Sequence, residues 1–408
     1  MRKILSFLLV LLVAATLNAA PAIEETYKKL FDGKTGNDQI KAMFVPDFLK
    51  VVPEKEIVRI LDVYRTTLGS FQGIDLSKKP MQLQFEKGTA PTTIGFDSNG
   101  LINTLWFGAP ELTQDDLETV LALFKKIQGK VSICLIRNDK DILIDIDSGV
   151  PMAIGSSFKL YILKALEQQV KDGKRNWNDL VKIDDSAKSF PSGILQDWPA
   201  GMTMTLESMA ALMISLSDNT ATDHLFNLLG RETLAGFFPE TCQPPFNTFD
   251  MFKLKIFYPE KGKAFAKADK AGRLAILDEL AGVTVAQIAS AAQIYDWKSP
   301  ILIDQLEWLI STRELCSAIY QLRHLKILGI NPATGLVDPK EWAMVGFKGG
   351  SEPGVLNYTW VLQLKDDENI YCLSCTANDP VDPVNDADFN MAVTRLLKLI
   401  SQKKAGVH

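Results

Sequence analysis

The segment Leu160 to Val170 is the sequence feature that most constrains how this chain folds. Its spacing predicts a helix with apolar residues on nearly every side, and such a helix has to be buried. It follows Pro151-Met-Ala-Ile-Gly-Ser156-Ser157-Phe158-Lys159, which brings two serines and a lysine to the helix start. We therefore expect this helix to lie at the centre of the fold, with polar groups at its N-terminal end.

The elements on either side of this helix predict an α+β domain. Before it come a helix near Asp115–Ile127 and a hairpin, Val131–Ile136 with Ile142–Ile146. Well after it come three antiparallel strands and a closing helix: Trp342–Lys348, Val355–Leu364, Ile370–Thr376 and Asp386–Ile400. This order predicts one antiparallel sheet built from both ends of the domain, with a helical lobe between them.

Residues 23–112 form a separate part of the chain by pattern, and 408 residues suffice for two domains. Pro53 precedes a helix that Gly69 closes and whose apolar positions share one face. Alternating residues at Met81–Phe85, Thr92–Phe96 and Leu101–Phe107 then predict an antiparallel meander. This helix-then-sheet order resembles the cone-shaped nuclear-transport-factor-2-like folds, although no motif supports the likeness. Ligand binding in the cone, packing and partner contact all stay open.

The N-terminus is typical of a secretory signal peptide. Met1-Arg2-Lys3 is followed by an apolar run from Ile4 to Leu17 and by small residues from Ala19 to Ala22. The run is shorter than the roughly 20 residues that span a bilayer, so a stable membrane anchor is not expected. We predict a signal peptide over 1–22, a small α+β domain over 23–112 and a larger α+β domain over 113–408. The protein would then be periplasmic or extracellular.

Composition excludes several classes of function. The 44 basic and 49 acidic side chains give a net charge of -5, and no block of Lys or Arg indicates a nucleic-acid surface. Three histidines without zinc-site spacing favour neither a metal nor a cofactor. Five cysteines, an odd number, favour buried free thiols over a disulfide framework.

The first of three short motifs is Ser156-x-x-Lys159 at the helix start. An offset of three residues puts the hydroxyl and the amine on one helix face. A serine becomes a nucleophile when a base takes its proton, and a lysine does so when burial and the positive helix end lower its pKa. The spacing alone is weak evidence, because Ser401 and Lys404 repeat it in a polar tail.

The second motif, Ser217-Asp218-Asn219, falls between two predicted helices, one over Leu206–Ser215 and one beginning near Thr220. Ser217 would relay a proton to the leaving atom, and Asn219 would hold a substrate amide. A plain helix cap is the alternative, because Ser, Asp and Asn are the preferred cap residues.

The third motif, Lys348-Gly349-Gly350-Ser351, ends a predicted strand. Lys348 would bind a substrate carboxylate and tune Ser217, and the two glycines would let substrate lie close to the strand edge. The alternative is a β-turn with a surface lysine. Lys34-Thr35-Gly36 also has a similar composition, but it precedes Ser156 and belongs to the first domain.

In this order and context the three motifs resemble those of the penicillin-recognising serine enzymes, most closely the class A serine β-lactamases and related serine hydrolases. The likeness runs from about Leu112 to the C-terminus and is strongest in Ile154–Leu163, Met213–Leu229 and Val345–Asn357. It implies a β-lactamase/transpeptidase-like fold and a small-molecule β-lactam, ester or amide substrate.

The resemblance also implies a role for each motif residue. Ser156 would be acylated, Lys159 would be a base or relay, and Ser217 would pass the proton to the leaving group. Asn219 would bind the acyl amide and Lys348 the anionic end of the substrate. The oxyanion would sit between the backbone amides of Ser156 and Ser351.

Two departures from the family pattern leave alternatives open. Gly349 stands where the family usually has a hydroxyl, so recognition of penicillins would depend on Ser351. No glutamate was found for the water that releases the acyl group, since Glu240 leads into Thr-Cys-Gln and Glu352 follows Lys348 on its strand. An esterase or amidase, a D-Ala-D-Ala-type peptidase, and a covalent penicillin-binding sensor therefore stand beside a β-lactamase.

Overall fold

The computed structural model describes residues 19–108, 110–113, 115–288, 296–403 and 405. The predicted signal peptide, residues 1–22, lies largely outside these ranges. The described chain forms two compact units, one of residues 122–390 and one of residues up to 121 together with 391–405. No helix among the described residues is long and apolar enough to cross a membrane.

The described part of the smaller unit up to residue 112 contains four helices and an antiparallel sheet. The helices are α1 (Ala19–Phe31), α2 (Asn37–Lys41), α3 (Pro46–Val51) and α4 (Glu54–Leu68). The strands are β1 (Phe71–Asp75), β2 (Met81–Phe85), β3 (Gly88–Phe96), β4 (Ile102–Phe107) and β5 (Glu111–Leu112). The predicted meander is confirmed as β2, β3 and β4, and α4 buries the predicted face of Ile57, Leu61, Tyr64 and Leu68. Strand β1 was not predicted, because Gly73 and Asp75 interrupt its apolar pattern.

Aromatic side chains fill the interior of the smaller unit. The ring of Phe31 lies 5.0 Å from that of Phe85 and 5.7 Å from that of Phe107, centroid to centroid. The Tyr27 hydroxyl is 2.6 Å from Thr92 Oγ1, so the buried phenol is hydrogen-bonded. Packing, one of the alternatives that the sequence left open, accounts for these side chains.

A five-stranded antiparallel sheet forms one part of the larger unit. Its strands are β6 (Lys130–Arg137), β7 (Asp141–Ile146), β12 (Trp342–Glu352), β13 (Val355–Leu364) and β14 (Ile370–Asn378), in the order β12-β13-β14-β6-β7. Short strand pairs lie outside this sheet: β8 (Met152–Ala153) with β11 (Leu309–Ile310), and β9 (Leu180–Lys182) with β10 (Thr203–Thr205). The prediction of one sheet drawn from early and late strands is confirmed. Strand β12 lies at its edge.

Further helices follow along the described chain, and the first and the last of them extend across the boundaries between the residue ranges of the two units. They are α5 (Leu117–Phe124), α6 (Lys159–Lys171), α7 (Leu206–Ser215), α8 (Asn219–Leu229), α9 (Arg231–Ala235), α10 (Thr248–Phe252), α11 (Pro259–Lys267), α12 (Lys270–Glu279), α13 (Thr312–Gln321) and α14 (Asp386–Ser401). The predicted central helix corresponds to α6, of which Leu160, Tyr161, Ile162, Leu163, Ala165 and Leu166 are all buried. The predicted α+β class is confirmed.

The third motif lies inside a strand, so the alternative of a β-turn with a surface lysine is wrong. In the register of β12 with β13, Lys348 is opposite Thr359, Gly350 is opposite Asn357, and pairing continues to Glu352. Two adjacent glycines usually weaken a strand. Here the pairing of β12 with β13 is continuous from Met344 to Glu352, so the motif keeps an extended backbone.

Candidate active site

Ser156 lies on a tight turn at the start of the central helix. Residues Gly155–Phe158 form one 3₁₀ turn that leads into α6, and Gly155 has φ +49°, in the left-handed region that favours glycine. The ring of Phe158 stacks on that of Trp308 at 3.6 Å between centroids. Phe158 is thus anchored in the core, while Ser156 stays partly exposed.

Strand β12 runs directly against this turn. A Cβ atom placed on Gly350 would lie 2.0 Å from the carbonyl oxygen of Ile154 and 2.5 Å from the backbone nitrogen of Ser156. One placed on Gly155 would lie 2.9 Å from the backbone nitrogen of Ser351. The two backbones can approach so closely only because both residues lack a side chain. This contact brings together the amides of Ser156 and Ser351, the pair predicted to form the oxyanion hole.

The close approach predicts that Gly350→Ala is destabilising. The added methyl group meets backbone atoms, which cannot rotate away, so we expect the free energy of unfolding to fall by about 1–3 kcal/mol or more, the usual cost of overpacking. If Ser156 is acylated, as the sequence predicts, acylation should slow as well, because the amides shift. Denaturant titration measures the first effect and a mass shift the second. Gly335→Ala is the matched control, since a Cβ there meets nothing within 4 Å; equal stability of the two variants would contradict this account.

The second motif meets the first through the amine of Lys159. Its Nζ donates to the carbonyl oxygen of Ser217 at 2.7 Å and to Asn219 Oδ1 at 2.7 Å, and it lies 3.1 Å from Ser217 Oγ. The Lys159 side chain is fully buried. A lysine that is held by neutral oxygens in the core, with no carboxylate hydrogen-bonded to it, has lost most of the stabilisation of its charge.

The third motif reaches the same hydroxyl from the other side. Lys348 Nζ lies 3.1 Å from Ser217 Oγ and also donates to the carbonyl oxygen of Gly349. Ser217 has φ +53°, a strained value for a residue with a side chain. Its carbonyl accepts a further hydrogen bond from Ser192 Oγ at 2.6 Å. Backbone strain and three hydrogen-bond partners thus direct the Ser217 hydroxyl between two lysines.

The two amines have lowered pKa values for related reasons. Burial lowers the pKa of Lys159 well below its usual range, and the nearby Lys348 ammonium lowers it further, against the opposing charges of Asp223 and Asp218. Burial lowers the pKa of Lys348 to about 7. A neutral Lys159 keeps two N–H bonds for the acceptors at 2.7 Å and gains a lone pair that can take a proton from a hydroxyl.

Asp218 performs the capping function that the sequence left as an alternative for the whole motif. Its Oδ1 accepts the backbone N–H of Ala221 at 2.8 Å, which caps α8. Its Oδ2 accepts the backbone N–H groups of Ile194 at 2.7 Å and Leu195 at 2.9 Å. Because Asp218 caps the helix, the Ser217 hydroxyl is not needed as a cap and can make other contacts. No sequence signal identified the segment 192–195 as the partner of this motif.

The remaining predicted site residues, Asn219, Gly349 and Ser351, differ in solvent exposure and in how far hydrogen bonds already occupy them. Asn219 is buried, and its Nδ2 donates to the carbonyl oxygen of Phe190 at 2.9 Å. Both ends of its amide are therefore already hydrogen-bonded, and its binding of a substrate amide stays a prediction. Gly349 is half-buried and Ser351 is exposed.

His224 is a structural residue of α8. Its Nδ1 lies 2.7 Å from the carbonyl oxygen of Thr220, and its Nε2 accepts the backbone N–H of Asp184 at 2.9 Å. Burial lowers the pKa of the imidazole, which favours the neutral ring that these contacts require. Both nitrogens are engaged with backbone, so His224 has no part in the chemistry at Ser156.

All five cysteines are buried and unpaired by disulfides. Across the ranges that the structure describes, no group of three or more His, Cys, Asp or Glu side chains is placed to hold a metal ion. The groups placed near the Ser156 turn include the amines of Lys159 and Lys348, the hydroxyl of Ser217 and the backbone amide of Ser351.

Comparison with known proteins gives a match to a family model over part of the chain. Residues 114–243 match the Beta-lactamase enzyme family. This β-lactamase-like segment contains the first two motifs, Ser156 with Lys159 and Ser217 with Asn219. The third motif, at Lys348, lies outside it. No curated protein sequence matches the chain.

Solved structures of β-lactamases and of a protein named PBP-A are among those to which the chain is similar. A β-lactamase from Sphaerobacter thermophilus has 16% identity and a TM-score of 0.46, over 71% of this chain and 96% of that one. One from Francisella tularensis has 15% identity and a TM-score of 0.49, over 70% and 98%. PBP-A has 15% identity and a TM-score of 0.46, over 70% and 95%. Identities this low transfer no substrate, which has to be argued from the site.

Proposed function

We propose that this protein is an exported serine hydrolase that forms an acyl-enzyme on Ser156 and is related to the β-lactamases. The observation that carries the proposal is the chain of contacts from Lys159 Nζ through Ser217 Oγ to Lys348 Nζ, each 3.1 Å long, beside the turn that holds Ser156. A hydroxyl, a depressed-pKa amine and two backbone amides are the groups that acyl transfer requires.

In acylation the neutral amine of Lys159 takes the proton of the Ser156 hydroxyl as Oγ bonds to the substrate carbonyl carbon. The carbonyl oxygen becomes an oxyanion, which the backbone N–H groups of Ser156 and Ser351 stabilise. The bond to the leaving nitrogen or oxygen then breaks, and the proton returns from Lys159 through Ser217 to that atom. Lys348 binds the anionic end of the substrate in its ammonium form, which with a pKa of about 7 is partly populated at neutral pH.

Gly349 favours an ester or simple amide as a second candidate substrate class. In the family pattern this position carries a hydroxyl for a lactam carboxylate, whereas here a glycine faces the ring of Phe347. Ser351, two residues further along the strand, is the exposed hydroxyl that remains in the motif. An ester or simple amide whose binding depends less on a carboxylate contact could therefore be acylated by the same groups.

Intact-mass measurement tests the proposal. The pure protein is incubated with a fluorescent penicillin, a cephalosporin and a p-nitrophenyl ester, and any adduct is mapped by digestion. We expect an adduct on the peptide that contains Ser156. Lactam turnover supports a β-lactamase, ester turnover without lactam turnover supports an esterase, and a stable lactam adduct without turnover supports a sensor. No adduct with any of the three contradicts an acyl-serine function.

A further inference from the structure

A buried cluster of one amine and two carboxyl groups has no part in the acylation steps. Lys255 Nζ lies 2.5 Å from Glu352 Oε1 and 3.6 Å from Glu307 Oε1. The side chains of Lys255 and Glu307 are fully buried, and that of Glu352 is 8% exposed. Burying three ionisable groups is costly even when they are paired, so such a cluster is a candidate for a functional role.

The cluster adjoins the turn that holds Ser156 on two sides. Side chains alternate along a strand, so Glu352 projects from the same face of β12 as Lys348 and Gly350. Gly350 is the residue packed against the Ser156 backbone, and two residues along a strand span about 7 Å. Glu307 immediately precedes Trp308, whose carbonyl oxygen accepts the N–H of Ile154 at 3.3 Å.

The two carboxyl groups differ in charge. Burial raises the pKa of Glu307 well above its usual range, and the neighbouring Glu352 carboxylate raises it further. Its Oε2 accepts the N–H of Trp308 at 2.8 Å, while its Oε1 has no hydrogen-bond partner among the described residues. Glu352 is closer to Lys255, so it is the ionised member. Burial still raises the pKa of Glu352, against the lowering effect of Lys255.

We propose that Glu352 is the general base that activates water to hydrolyse the acyl-enzyme on Ser156, with Glu307 and Lys255 as positioning residues that fix its charge and orientation. This rests on the proposed function and supplies the deacylation step that the sequence left without a residue. The Glu352 carboxylate lies on the face of β12 that also carries Lys348 and Gly350, and burial makes it more basic, as suits a general base.

The step balances in atoms and protons. The water oxygen bonds to the acyl carbonyl carbon as its proton passes to the Glu352 carboxylate. The bond from that carbon to Ser156 Oγ then breaks, and the proton on Glu352 returns to Oγ. The products are the free acid and the serine hydroxyl, with Glu352 again ionised against Lys255. Glu307 keeps its own proton throughout.

Glu352→Gln separates the two half-reactions. With p-nitrophenyl acetate we expect the variant to keep a burst of about one equivalent of p-nitrophenol while steady-state turnover falls at least about 100-fold, the low end for a general base. Intact mass should show a persistent acetyl adduct. Glu260→Gln is the matched control, because that carboxylate is 82% exposed and pairs with the surface residue Lys263; both phases should be unchanged in it.

The pH profile gives a second readout. A base acts when ionised, so wild-type deacylation should decline as pH falls through the raised pKa of Glu352, at a pH above the ordinary glutamate value. This acidic limb should vanish in Glu352→Gln and shift in Glu307→Gln, which changes the neighbour of the base without removing it. If Glu352→Gln does not fold, the shift of the acidic limb in Glu307→Gln still tests whether Glu352 is the base.

The outcomes distinguish this proposal from the proposed function. Wild-type turnover in folded Glu352→Gln, or an unshifted acidic limb in Glu307→Gln, overturns the role of Glu352. Absence of both burst and adduct in the wild-type protein overturns acyl-serine chemistry itself, and with it this step. Loss of the burst together with turnover in folded Glu352→Gln also overturns the proposal, because a deacylation base is not needed for acylation.

Discussion

Ser156→Ala should abolish the covalent adduct with every probe that labels the wild-type protein. The alanine lacks the oxygen that bonds to the substrate carbon, and the remaining amines and amides have no acceptor for the acyl group. Removing the nucleophile of a serine hydrolase costs on the order of 10⁶-fold in turnover. Intact mass and p-nitrophenol release both measure the loss. The fold should be retained, because Ser156 is partly exposed and contributes little to the core.

Ser157→Ala is the control for this prediction. Ser157 is the neighbouring serine but is buried, and its hydroxyl donates to Asn357 Oδ1 at 2.5 Å. We expect this variant to keep the adduct and to lose about 1 kcal/mol of stability, the usual net value of one hydrogen bond. If Ser156→Ala still forms an adduct, or if Ser157→Ala alone loses it, Ser156 is not the nucleophile.

Lys159→Met should lower the acylation rate by about 100–10,000-fold, the range for a general base. Methionine fills a similar volume, but its thioether is far too weak a base to take the Ser156 proton. It also leaves Asn219 Oδ1 without its donor. Pre-steady-state bursts at several pH values measure the effect. In the wild-type protein acylation should persist to a lower pH than a lysine of ordinary pKa would allow, because the lowered pKa of Lys159 leaves more of its amine unprotonated.

A lysine on the same helix serves as the comparison for this variant. Lys164 is only half-buried, and it makes no hydrogen bond in the described structure to any site residue. Lys164→Met should therefore leave the burst rate unchanged. The readout must be taken per folded molecule, with thermal unfolding recorded for each variant. Near-wild-type acylation in folded Lys159→Met would remove this amine from the mechanism.

Several elements could be predicted because their determinants are local. The face of α4 follows from the spacing of Ile57, Leu61, Tyr64 and Leu68, and its end follows from Gly69, which has φ +78°. Helix α6 has apolar residues on nearly every side, which predicts burial, and the structure confirms that it is buried. Local patterns of this kind depend on residues a few positions apart, which the sequence displays directly.

The sequence predicted which residues belong to the candidate site, but not the contacts that hold those residues in place. Ser156, Lys159, Ser217 and Lys348 were identified from motifs and their order, whereas the strain at Ser217 and its contact with Ser192 had no signal. Nothing in the sequence indicates that Lys255 and Glu307 surround Glu352. Contacts of this kind join residues from about 25 to about 100 positions apart, and local pattern does not encode them.

By itself the sequence determined the types of element, the α+β class and the presence of three hydroxyl and lysine motifs in a particular order. Only the tertiary structure decided which groups share an environment: that Gly350 lies against the Ser156 turn, that both amines meet one hydroxyl, and that burial lowers their pKa values. The physical reason is that periodicity and turn preference are properties of neighbours along the chain. Desolvation and close approach depend on which distant segments pack together.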